Sequence, residues 1–216
     1  MAKKDWFRKT TWKRKDKEDF FLHLKRARDI NKPQYVRIQA VHLHDTGKRR
    51  YILAALELIE LYLENWPNDT DLAQAYLQQA ECFASLGKMN AAIEAYRNSL
   101  QAQRNRPNVM TQAPINFGMY AIENGMTHLY KEAVSVLDEF VNPDRITFPI
   151  EEFRYNTILA IACEHAGQLT EAEEYATAAI EASRKTHSGL SYHPDLGLVK
   201  QINRRLHRKL QKLSGE

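Results

Sequence analysis

Four alanines recur along this chain at nearly even intervals: Ala54, Ala92, Ala133 and Ala172, separated by 38, 41 and 39 residues. Each stands at the same point of a pair of helical patterns, and that recurrence constrains the fold more than any other feature. The clearest pair runs from Leu72 to Leu100, LAQAYLQQAECFASLGKMNAAIEAYRNSL. Apolar residues there keep a helical period on both sides of Gly87, which predicts two amphipathic helices joined by a tight turn. Helix axes pack about 8–10 Å apart depending on the side chains between them, so alanine at a crossing permits close approach. Ala, Leu, Glu, Lys, Arg and Gln abound, Pro and Gly are few, and no useful window alternates as a half-buried strand would. The chain reads as all-α.

Within that pair, Tyr76, Ala80, Phe83, Gly87, Ala92, Tyr96 and Ser99 follow the order large, small, aromatic, Gly, Ala, aromatic, small. This resembles the tetratricopeptide repeat (TPR), whose unit is about 34 residues. Three weaker copies surround it. Repeat 1 spans Pro33 to Pro67, with Val36, Ala40 and Leu43 before a turn at Asp45-Thr46-Gly47, then Ala54, Leu58, Leu61 and Tyr62. Repeat 3 spans Ala113 to Pro143 and has a stretched turn after Gly125. Repeat 4 spans Glu151 to Lys185 and turns at Gly167. The resemblance implies a right-handed α–α superhelix, a TPR-like solenoid of about four helix pairs with capping helices at both ends. The longer period leaves HEAT-like pairing as an alternative, since those repeats run about 40–47 residues.

Three segments follow: a basic arm and helix over 1–30, repeats over 31–187 and a C-terminal capping helix over 188–216. Trp6, Phe7 and Trp12 precede a helix expected over Lys13 to Arg28, with Thr11 as its N-cap and no acid three residues later. These aromatics either tuck against that helix or form a docking arm able to stack on nucleotides. The last helix is expected from Asp195 to Leu213, with Leu196, Val199, Ile202, Leu206, Leu210 and Leu213 as one stripe covering the end of the repeats.

Charge is divided along the chain. Residues 1–28 carry eleven Lys/Arg against four Asp/Glu, and residues 184–216 carry eight against two, while the stretch between them has a balance of −9. Solvated helix faces account for such ends. So does attraction to the chain's own acidic body or that of a second copy, which would give self-association, or to a nucleic acid or other anionic surface. The two cysteines, Cys82 and Cys163, form no ligand run or disulfide framework, and Cys163 falls at a core position. No apolar stretch approaches the ~20 residues of a membrane span and no secretory pattern opens the sequence, so a soluble cytoplasmic protein is expected.

Nothing in the sequence encodes catalysis: P-loop, GxGxxG, GxSxG and HExxH motifs are all missing. His42 and His44 stand two apart on a helix and point in different directions, so a shared metal ion is not expected, and neither is a cofactor. A non-enzymatic scaffold or adaptor is the expected function. The TPR resemblance implies that a protein or peptide partner lies in a concave groove lined by the first helix of each repeat. Carried over position by position, the groove residues are Arg37, Val41 and His44 in repeat 1 and Gln74, Leu77 and Glu81 in repeat 2. Repeat 4 supplies Arg154, Thr157, Ile161 and Glu164, and repeat 3 offers Ile115, Met119 and Ile122. Family members that clamp a carboxylate tail use Lys and Asn at set groove positions. Arg37, Val41 and Glu81 depart from that pattern, and Glu81 would repel a carboxylate.

Overall fold

Ten α-helices and three short 3₁₀ turns make up the secondary structure, and no strand occurs among the described residues. The computed structural model describes residues 6–67 and 70–216, so residues 1–5 of the expected basic arm lie outside it. The chain divides into two units, Met1–Ala113 and Pro114–Glu216.

The N-terminal unit holds α1 (Arg14–Arg26), α2 (Lys32–His44), α3 (Arg49–Asn65), α4 (Leu72–Ser85) and α5 (Met89–Asn105). Helices α2 and α3 pack as one hairpin and α4 and α5 as the next, with α3 against α4 and α2 touching α4. In the C-terminal unit, α6 (Ala113–Glu123) and α7 (Tyr130–Phe140) precede the α8 (Pro149–Ala166) and α9 (Leu169–Arg184) hairpin. Helix α10 (Arg204–Leu213) packs on α9 and α8. The repeated alanines all lie inside: Ala54 is 7% exposed, and Ala92, Ala133 and Ala172 are fully buried.

Each hairpin turns at a glycine with positive φ, Gly47, Gly87, Gly125 or Gly167. At Gly87 the reason is explicit. The Lys88 N–H donates to Phe83 O at 2.9 Å and the Gly87 N–H to Ala84 O at 3.0 Å, a closure that needs a left-handed residue. The stretched turn of repeat 3 is filled by the 3₁₀ turn Thr127–Leu129 ahead of α7.

The aromatic arm is part of the N-terminal core. Trp6, Phe7 and Trp12 pack on the cluster around Phe20 and Leu24, and Trp6 stacks on His23 with ring centroids 5.3 Å apart. Fully buried Gln39 on α2 clasps the arm, accepting from the Lys9 N–H at 3.0 Å and donating to Lys9 O at 2.7 Å. Trp6 and Trp12 are therefore packed residues and not a free stacking arm. Helix α1 begins one residue later than expected, and its cap is Asp16. That carboxylate accepts from the Lys13 N–H at 2.9 Å and from the Thr11 hydroxyl at 2.8 Å. The acid stands three residues past Lys13, the true N-cap.

The last helix corrects a second expectation, because it starts at Arg204 and not at Asp195. Gly197 has φ +70°, and a Cβ there would lie 2.5 Å from Phe148 Cδ1. Its carbonyl accepts from the Ile150 N–H at 2.8 Å, which ties the turn at 194–197 to the start of α8, and residues 198–203 then run on without helix. Asn203 then starts the helix by accepting from the Arg205 and Leu206 N–H groups. Leu196, Val199 and Ile202 therefore stand outside the helical stripe. Cys163 is only partly buried, whereas Cys82 is 2% exposed.

Candidate functional site: a cleft between the first helices

Helices α2 and α4 are the first helices of consecutive repeats, and their contact brings equivalent faces together. Val41 and His44 on α2 face Gln78 and Glu81 on α4 across a cavity of about 30 Å³, floored by Ala40 and Ile59. That volume admits about one water molecule. Three of the expected groove residues, Val41, His44 and Glu81, thus line one opening. His44 Nε2 lies 3.0 Å from the Ser85 hydroxyl, which fixes the imidazole at the mouth.

Polar groups at this cleft are incompletely matched. Gln78 is 8% exposed and its Oε1 accepts no hydrogen bond. An orphaned buried acceptor typically costs about 1–3 kcal/mol, so a donor small enough to enter the cavity, such as a water molecule, would be favoured there. Arg37, one turn before Val41, pairs with Asp71 at 3.1 Å while its Nε and Nη1 stay buried without acceptors. The pair ties α2 to the residue just ahead of α4. Gln74 sits partly buried on the first turn of α4.

Other expected positions are buried or engaged by neighbouring side chains. Leu77 and Ile161 are each 2% exposed and Thr157 is fully buried, so all three are core side chains. Glu164 pairs with Lys209 of α10 at 2.6 Å. Arg154 is partly buried and donates to Asn116 Oδ1 at 3.5 Å. Ile115, Met119 and Ile122 are buried as well. Gln78 was the residue missed. Its signal lay in the sequence, since it stands one turn after Gln74 on the same helix face.

Cys82 lies behind Gln78 and Glu81, and burial, with the Glu81 and Glu60 carboxylates adding to it, pushes its thiol up to about 12. The native state therefore keeps the proton. The unfolded chain releases it near the ordinary thiol value of about 8.5, so this stabilisation is complete below that pH and lost as pH rises toward 12. Between pH 8 and pH 10, wild type should lose about 1–2 kcal/mol more than Cys82→Ala in urea denaturation. Parallel losses in the two proteins would show that the thiol contributes nothing.

Among the described residues, no three His, Cys, Asp or Glu side chains gather as a metal site, and no helix is long and apolar enough to cross a membrane. Residues 73–106 match the family model of the tetratricopeptide repeat, a span that covers most of α4 and all of α5. No curated protein matches the chain. Gly87 in its left-handed turn, the buried Ala92 and the paired amphipathic helices are what that pattern requires, and the chain is therefore TPR-like, with its recognisable repeat at residues 73–106.

Proposed function

We propose that this chain is a non-enzymatic protein-interaction module, a scaffold or adaptor that receives a peptide or partner helix at the α2–α4 cleft. The observation that carries the reading is the convergence of Val41, His44 and Glu81 on one opening beside the unpartnered Gln78 acceptor. At the rim Val41 offers an apolar contact, while the carboxylates of Glu81 and Asp45 suit a donor group. Glu81 disfavours a carboxylate tail. Because both walls are packed helices, the site meets little ordering cost of its own on binding. Arg37 and Gln74 extend the same face toward the start of α4. Arg154 in the C-terminal unit is a separate candidate contact.

The test is a quantitative comparison of proteins retained from the source cells by three baits. These are wild type, Val41→Lys/Glu81→Lys in the cleft, and Glu94→Lys on the exposed side of α5. Matching thermal melts would establish that all three fold. Partners retained by wild type and by the α5 variant should drop at least about tenfold with the cleft variant, the loss expected for about 1.4 kcal/mol. Equal retention by all three would contradict the proposal.

A further inference from the structure

Helix α10 carries Arg204, Arg205, Arg208, Lys209 and Lys212 within ten residues, and no acid among them. Among the described residues only Lys209 forms an ion pair, with Glu164 at 2.6 Å; the other four cations are exposed and make none. In the basic N-terminal segment Lys9 pairs with Asp19, Arg14 with Glu18 and Lys17 with Glu57, and the exposed cations Lys15, Lys25 and Arg26 share α1 with the acids Asp16, Glu18 and Asp19.

The placement of these charges works against the helix itself. Arg204 and Arg205 occupy the first turn, where the helix dipole favours anions and repels cations. Stabilisation of a helix terminus therefore cannot account for them. Arg204, Arg208 and Lys212 rise about 6 Å from one to the next, and with Arg205 they span about 100° of the helix surface. The opposite side carries Leu206, Leu210 and Leu213, and Leu210 is fully buried where α10 packs on α9.

Those facts select the partner. Membrane-surface helices bind by sinking a free apolar face into the lipid, and here that face is already engaged. What remains is a band of evenly spaced cations, mostly arginine, whose planar fork matches phosphate oxygens. We infer that the outer face of α10 is a sequence-independent binding surface for the phosphate backbone of a nucleic acid. This surface is independent of the α2–α4 cleft, and neither proposal needs the other.

Fluorescence anisotropy of a labelled random-sequence DNA duplex of about 20 base pairs tests it on the full chain. Four phosphate contacts give a log–log salt slope near −3.6, an affinity loss of about 150-fold between 50 and 200 mM salt. Replacing Arg204, Arg208 and Lys212 by Gln should flatten the slope to about −1 and weaken binding at 50 mM salt at least about tenfold. Removing three exposed cations from α1 (Lys15→Gln, Lys25→Gln, Arg26→Gln) should change affinity less than about threefold. Circular dichroism confirms that both variants fold. Absence of wild-type binding at 50 mM salt would overturn the proposal, as would equal losses in the two variants. So would displacement of the duplex by polyglutamate of equal charge, or tighter binding to vesicles containing phosphatidylserine than to the duplex.

Discussion

Gly118→Ala is expected to destabilise the C-terminal unit by about 1–3 kcal/mol, opposite in sign to the usual effect of alanine in a helix. Gly118 lies inside α6 with ordinary helical φ, where added Cβ normally stabilises by restricting the unfolded chain. Here the Cβ would stand 2.6 Å from Ile158 Cδ1 and 3.2 Å from both Ile158 Cγ atoms. Ile158 is fully buried on α8, so its side chain cannot swing out into solvent. Close packing makes such an overlap a repulsive term that propagates into the helix positions. Ile158→Val removes the nearest atom. Alone it should cost about 0.5–1.5 kcal/mol, yet combined with Gly118→Ala it should recover at least about 1 kcal/mol relative to additivity. A urea-denaturation cycle reads both terms. Simple additivity, or a stabilising Gly118→Ala, would show that the close approach of α6 and α8 is not as described.

Much of this architecture was legible because its determinants are local. Gly87 and Gly167 sit where helices turn, and the matching hydrogen bonds of the helix end form within a few residues. Ala92 and Ala172 mark close crossings by size alone. The start of α10 was not legible, because apolar periodicity continues through Leu196, Val199 and Ile202. What interrupts the helix is distant, namely the Phe148 ring over Gly197 and the Ile150 N–H on its carbonyl. The cap of α1 was misplaced for a smaller reason: Asp16 is read correctly only when Lys13, and not Thr11, is the N-cap.

The candidate site divides along the same line. Val41, His44 and Glu81 lie on the faces that α2 and α4 turn toward one opening, and the TPR resemblance, carried over position by position, named all three. Leu77, Thr157 and Ile161 share comparable positions on their helices but are covered by neighbouring elements. Periodicity assigns a residue to a face. It does not say whether another helix already covers that face. Glu164 illustrates the difference, since its carboxylate is engaged by Lys209 from a helix 45 residues downstream.

Small residues let each second helix nest closely, and α5 offers a clean comparison. Ala92 is fully buried, whereas Arg97 on the same helix is exposed. Leucine at position 92 adds three carbons to a contact with no spare volume, so Ala92→Leu should lower the unfolding free energy by about 1–3 kcal/mol. Leucine at position 97 adds no buried volume and should shift stability by no more than about 0.5–1 kcal/mol. The decisive measurement is the paired chemical denaturation of Ala92→Leu and Arg97→Leu against wild type. A loss confined to position 92 is the predicted result; two equally harmless substitutions would contradict the close-nested hairpin on which the α2–α4 cleft depends.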